Sequence, residues 1–207
     1  MTRALILVDI QNDFVPGGAL AVAEGDRIVP VVNRLQEQFD LIVATQDWHP
    51  ANHGSFASQH PAKKPGDVID LNGLPQVLWP DHCVQHTHGA EFHPDLDMQR
   101  VAKIFQKGID PEIDSYSGFF DNGHRRGTGL AEYLKSANVD EVFVCGLATD
   151  YCVKYTALDA RQLGFKTTLV ADASRGVNLE PGDVDAAIDQ MRAAGVAVIS
   201  STQVAAA

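Results

Sequence analysis

The sequence predicts an α/β fold: three layers, with a central, mainly parallel β-sheet flanked by helices on both faces. Three observations carry this. Short apolar runs recur along the chain, with stretches of helical periodicity between them. The runs are apolar throughout instead of alternating with polar residues, the pattern of strands buried on both sides. The 207 residues suffice for a substantial core, so the chain is read as a single domain, 1–207.

The elements follow in order. Ala4–Val8 reads as the first strand. Arg27–Phe39 reads as a helix, with Ile28, Val31, Val32 and Leu35 on one face. Leu41–Thr45 is a second strand and Val101–Gln106 a third. Gly129–Ala137 is helical and Glu141–Cys145 is the next strand. Gly146 breaks that run, and Thr149 or Asp150 can cap a helix that carries Val153, Thr156, Ala157, Ala160 and Leu163 on one face. Lys166–Ala171 is a strand, Pro181-Gly182-Asp183 opens a helix through Ala193, and Val196–Ser200 is the last strand. The region from about 47 to 97 is rich in His, Pro, Gly and Asp and shows little periodicity. A long irregular segment within a compact domain is usually functional.

Composition narrows the partners. The formal net charge is −11, which repels nucleic acid and anionic membrane alike. A small molecule is the expected partner, bound by a monomer or a homo-oligomer. Three cysteines do not make a disulfide framework, and a reducing cytoplasm is expected. Asp9 ends the first apolar run too early for a signal-peptide core or a membrane span.

Parallel sheets bind ligands beyond the carboxyl ends of their strands. Asp9, Asp47, His49, Lys107, Cys152 and Asp172 all fall at predicted strand ends. Cys152 lies in the first turn of its predicted helix, where free N–H groups and the helix dipole favour a thiolate. The same position also suits a buried structural cysteine. Asp9 can accept a thiol proton, and Lys107 can hold that carboxylate ionised; read singly, each is more readily an ordinary turn residue, and it is their shared sheet edge with Cys152 that favours the catalytic role.

Seven of the eight histidines lie between His49 and His93, which suggests a metal. Asp47 and His49 are two apart and share one side of an extended segment, and His82 is a candidate third ligand. One carboxylate and two imidazoles suit a divalent ion, zinc first, with iron(II) and manganese as alternatives. His53, His60, His86, His88 and His93 read better as solvated loop residues. Phe14, Trp79 and Tyr116 can stack on a flat substrate or simply fill the core. Cys145 reads as an inert core residue, and Cys83 as packing.

Taken together, Val8-Asp9-Ile10-Gln11-Asn12-Asp13-Phe14, Gln46-Asp47-Trp48-His49-Pro50, Trp79-Pro80-Asp81-His82-Cys83-Val84, Gln106-Lys107-Gly108, Tyr116-Ser117-Gly118-Phe119 and Cys145-Gly146-Leu147-Ala148-Thr149-Asp150-Tyr151-Cys152 make the chain resemble the nicotinamidases of the isochorismatase-like cysteine hydrolase superfamily. The resemblance spans most of the chain. It implies a catalytic triad of Asp9, Lys107 and Cys152, and metal ligands Asp47, His49 and His82. It implies a ring pocket of Phe14, Trp79 and Tyr116. It further implies a cis Leu147–Ala148 bond and an oxyanion hole from the N–H groups of Ala148 and Cys152. The implied reaction is hydrolysis of nicotinamide to nicotinate and ammonia in NAD salvage, with pyrazinamide as a further substrate. Two positions depart from some members. Ser55 stands where they carry another metal-binding histidine, which leaves it to hold a water on the metal. Tyr151 stands where others have histidine. The rival readings are a hydrolase of isochorismate or of an N-carbamoyl compound, and a non-catalytic metal-binding protein on the same scaffold.

Overall fold

In the computed structural model, which describes residues 2–204, strand β1 (Thr2–Val8) buries every side chain from Ala4 to Val8. Helix α1 (Val29–Gln36) is entered through a 3-10 turn at Gly25–Ile28. Strand β2 (Leu41–Asp47) follows, then a short hairpin of β3 (Val68–Leu71) and β4 (Leu74–Val77). After β5 (Lys103–Lys107) come α2 (Leu130–Ser136), β6 (Val139–Leu147), α3 (Lys154–Gln162), β7 (Lys166–Arg175), α4 (Asp183–Ala193) and β8 (Ala197–Ile199).

Six strands form one sheet in the order β5-β2-β1-β6-β7-β8, and every pair in it is parallel. Alternate residues along each strand feed two separate cores. Leu5, Leu7, Ile42, Ala44, Phe143 and Cys145 pack with Val29, Val32 and Leu35 of α1. Ala4, Ile6, Val8, Val43, Val142 and Val144 pack with Leu130 and Leu134 of α2, Ala157 and Ala160 of α3 and Met191 of α4. The sheet is thus covered on both faces, and its apolar strands have the burial that a parallel sheet demands. Among the described residues, no helix is long and apolar enough to cross a membrane.

Three expectations need correction. The region 47–97 is not wholly irregular, because β3 and β4 pair antiparallel around Asn72-Gly73. Both turn residues have positive φ, 52° and 86°, the type I′ geometry that Asn-Gly favours. Cys152 does not sit in the first turn of an α-helix; it lies in a π-helical turn, Thr149–Val153, that leads into α3. Asp172 lies inside β7, where its carboxylate accepts the N–H and hydroxyl of Ser201 at 2.6 Å each. It ties down the start of a C-terminal turn and takes no part in the site below.

Candidate active site

Because neighbouring strands run parallel, β5, β2, β1 and β6 bring their carboxyl ends to one edge. Lys107 ends β5 and Asp47 ends β2, and the two are register partners. Asp9 follows β1 directly. It is fully buried and adopts φ 47°, a left-handed conformation that Asp tolerates better than most residues. Gly146 is the register partner of Val8, and at φ 126° an added Cβ there would lie 2.1 Å from the Val8 carbonyl oxygen. Only glycine lets β6 pass β1 this closely and turn toward Leu147 and Ala148, whose peptide bond is cis.

The Lys107 ammonium organises the centre. Its three N–H groups go to Asp47 Oδ1 at 2.5 Å, the Ser115 carbonyl at 2.9 Å and Cys152 Sγ at 3.4 Å. Asp9 Oδ2 also lies 2.8 Å from Nζ. That approach is an ion pair without hydrogen-bond alignment, so Oδ2 has no hydrogen bond of its own among the described residues. The other oxygen, Oδ1, accepts the Thr45 hydroxyl at 2.6 Å. Asp9, Asp47 and Cys152 place one oxygen or sulfur each within 4.8 Å of one another. Asp9 Oδ2 and the Cys152 sulfur thus face the same ammonium, and Oδ2 is free to take a proton.

Charge sorts the two acids. Burial pushes Asp47 up, but Lys107 and His49 outweigh it and hold this carboxyl well below the usual range. Burial pushes Asp9 up, Lys107 pulls against it, Asp47 adds to it, and the net direction is upward. Lys107 itself is held charged: burial opposes this, and Asp47 and Asp9 override it. For Cys152, burial dominates and Lys107 is insufficient against it, with Asp9 and Asp47 raising the thiol further. The resting sulfur is thus a neutral thiol, contrary to the thiolate expected from a helix terminus.

Asp47 Oδ2 faces away from Lys107 toward two imidazoles. His49 Nε2 lies 3.5 Å away and His82 Nε2 3.7 Å. His49 Nδ1 bonds the Gly108 carbonyl at 2.9 Å and His82 Nδ1 the Pro80 carbonyl at 2.8 Å. A carbonyl only accepts, so both Nδ1 atoms carry protons, and in the neutral rings both Nε2 lone pairs face the carboxylate. Donors about 2.0–2.2 Å from a tetrahedral ion stand roughly 3.3–3.6 Å apart, so this trio fits a divalent metal. Gly108 is required here as well: an added Cβ would lie 2.3 Å from the His49 ring.

A small pocket joins both centres. Asp47, His82, Ala148 and Cys152 line it, together with Phe14, Trp79, Tyr116, Tyr151 and Val177. Trp79 Nε1 donates to the Tyr116 hydroxyl at 3.2 Å, and Tyr151 sits edge-on to both rings. Trp79, Tyr116 and Tyr151 therefore meet on one wall, while Phe14 lines the same pocket beside His82, with ring centroids 5.5 Å apart.

Sequence reasoning missed several contributors. Gln11 clamps the end of β2, donating from Nε2 to the Asp47 carbonyl and accepting the Asp47 N–H at Oε1, both at 2.8 Å. Asp114 is buried and lines the cavity, its carboxylate accepting from Gln76 Nε2 and the Ser115 N–H. His53 is buried, not solvated, and burial pushes it down to about 4. Ser55 bonds the His53 ring at 2.7 Å. His60 is part-buried and bonds the Gly54 carbonyl, while His86 and His88 are exposed. Cys83 and Cys145 are free and buried, as read.

Comparison with known proteins agrees with this geometry. Residues 3–203 match the family described as the isochorismatase domain. A nicotinamidase of Escherichia coli strain K12 is 55% identical over 93% of this chain and 92% of its own. A solved nicotinamidase/pyrazinamidase of Acinetobacter baumanii superposes with a TM-score of 0.96 at 50% identity, covering 99% of this chain and 98% of that one. A pyrazinamidase of Pyrococcus horikoshii solved with zinc gives a TM-score of 0.79 at 42% identity, over 97% of this chain and 99% of that one. The chain belongs to the isochorismatase family.

Proposed function

We propose that the protein is a nicotinamidase, hydrolysing nicotinamide to nicotinate and ammonia, and pyrazinamide by the same route. The observation that carries this reading is one cavity lined both by the thiol of an Asp9–Lys107–Cys152 cluster and by the ligand trio's Asp47 and His82. Such a pocket supports a reading in which a nucleophile and an anchoring point for a ring nitrogen share one small-molecule space. The identities of the Escherichia coli and Acinetobacter relatives support the substrate.

In this mechanism Asp9 Oδ2 takes the Cys152 proton as Sγ attacks the carboxamide carbon. Burial keeps the thiol protonated until that moment, and the upward shift of Asp9 makes it an effective base. The N–H groups of Ala148 and Cys152 hold the developing oxyanion. The C–N bond then breaks, and Asp9 returns its proton to the departing ammonia, leaving a thioester on Cys152. Asp9 next deprotonates a water that attacks the thioester, nicotinate leaves, and the thiol recovers its proton. Lys107 stays charged throughout and fixes the positions of Asp9, Asp47 and Sγ. Phe14, Trp79 and Tyr116 hold the pyridine ring, with Tyr151 closing the wall.

Asp47, His49 and His82 would hold the metal; when bound it supplies a Lewis-acid site that anchors and polarises the pyridine nitrogen. Zinc is the proposed ion, on the donor set and on the zinc-bound pyrazinamidase. The proposed setting is cytoplasmic NAD salvage, in keeping with three free cysteines. Purified protein given nicotinamide is expected to release equal amounts of nicotinate and ammonia, to stop after chelation and to resume with zinc. Hydrolysis of isochorismate or an N-carbamoyl compound in place of nicotinamide would overturn the reading.

A further inference from the structure

His53 carries an unpartnered polar atom in the buried part of the molecule. Its side chain is fully buried. Nδ1 accepts the Ser55 backbone N–H at 3.2 Å and meets the Ser55 hydroxyl at 2.7 Å. A backbone N–H only donates, so Nδ1 holds the ring's lone pair and, in the neutral imidazole, the proton sits on Nε2. Among the described residues, Nε2 has no hydrogen-bond partner. A buried N–H without an acceptor is unfavourable and calls for a function or a ligand.

The surroundings say which. The His53 and His49 ring centroids are 4.3 Å apart. One nitrogen of each ring and one Asp114 oxygen lie within 4.8 Å of one another. Asp114 lines the same cavity as Asp47 and His82. Each Asp114 oxygen already accepts one bond, from Gln76 or Ser115, and keeps a second lone pair. The His53 ring and an Asp114 oxygen with a spare lone pair thus both lie beside His49 of the ligand trio. The Nε2–H tautomer has no lone pair to give a metal, which separates His53 from His49 and His82, both protonated on Nδ1.

We infer that His53 is not a fourth ligand but a hydrogen-bond donor to the oxygen ligand that the metal site takes from outside the chain, water in the resting protein. Asp114 accepts a hydrogen bond from that ligand's own O–H. Ser55 sets the tautomer of His53, a different part from the water-holding one expected of it. The inference rests on the metal reading of Asp47, His49 and His82, and the experiment separates the two.

Zinc affinity is measured by competition with a chromophoric chelator, and the cobalt(II)-loaded protein by its visible absorption bands. Unmodified protein that binds neither ion overturns the metal reading itself, before any variant is made. Given binding, His53→Phe is expected to weaken zinc by about 10-fold and to shift the cobalt bands. His53→Gln, whose amide restores a donor, is expected to move both back toward the unmodified values. Unchanged affinity and bands in His53→Phe would reduce His53 to packing. A loss as large as that of His49→Ala would make it a ligand; either result overturns the inference. Histidine-selective ¹⁵N NMR of the unmodified protein needs no variant to fold. It should show His53 protonated on Nε2 before and after zinc, with His49 and His82 protonated on Nδ1. A His53 Nε2 that loses its proton to zinc would refute the proposal.

Discussion

Replacing Lys107 with Met keeps much of the side-chain volume and removes the charge that two buried acids share. The ammonium lies 2.8 Å from Asp9 and 2.5 Å from Asp47, with essentially no exposed surface. At an effective dielectric of about 20, an ion pair at such a distance is worth roughly 6 kcal/mol before desolvation. Burying the ammonium offsets much of that, and removing one partner of a buried pair typically costs about 3–5 kcal/mol. We expect Lys107→Met to lose about 4 kcal/mol, a large part of a total stability of about 5–15 kcal/mol. The pH dependence has a definite sign. In the intact protein Asp47 is depressed, so its contribution is present above the ordinary carboxylate pKa and is lost only as pH falls through a lower value. Lys107 is raised, so its contribution is present below the ordinary ammonium pKa and is lost only as pH rises through a higher one. Without the ammonium, both acids rise and one takes a proton, so the variant gains relative stability in acid. Urea unfolding should show the deficit largest near about pH 8 and narrowing toward about pH 5. A deficit within about 0.5 kcal/mol, or one that widens in acid, would refute this account of the buried charges.

Thr45→Val removes the buried hydroxyl that donates to Asp9 Oδ1 at 2.6 Å. It should cost about 1.5–3 kcal/mol. Asp9 must be ionised to act as base and loses a bond that lowers its pKa, so the acid limb of the kcat/KM profile should move to higher pH; a limb that stays in place would remove Asp9 from that role. Gly146→Ala drives a Cβ to 2.1 Å from the Val8 carbonyl oxygen and should yield no soluble folded protein by circular dichroism. A well-folded Gly146→Ala enzyme would show that β1 and β6 do not need this approach. Chelated protein refilled with zinc should recover activity, whereas Asp47→Asn should not recover at any practical zinc concentration in an ammonia-release assay.

The sheet was legible because its strands are buried on both sides. Runs such as Ala4–Val8 and Val142–Cys145 have no other reading once helical stretches lie between them, and α1, α2 and α4 follow their periodicity to within a few residues. Strand ends then predicted where Asp9, Asp47 and Lys107 would meet. What stayed hidden depended on partners remote in sequence. Gln11 gave no sign that it would clamp Asp47, 36 residues away, and the Ser115 carbonyl that takes a Lys107 proton is a backbone atom with no sequence signature. His53 resembled the exposed His86 and His88 in its polar context, and only folding buries it. The hairpin at Asn72-Gly73 is a different case, since its turn dipeptide was a readable signal overshadowed by the polar composition around it. Asp172 shows the limit of the strand-end rule, because β7 runs on past it to Arg175.

If Cys152 is the nucleophile, the cavity still binds nicotinamide when its sulfur is removed. Cys152→Ala leaves the ligand trio and the aromatic wall untouched, so nicotinamide binding by calorimetry and bound metal by elemental analysis should both be retained. Ammonia release by that protein should then be undetectable, because no other thiol lines the cavity; Cys83 and Cys145 are buried in the core. Ammonia release within tenfold of the unmodified enzyme would contradict covalent catalysis at Cys152 and leave the geometry in need of another explanation.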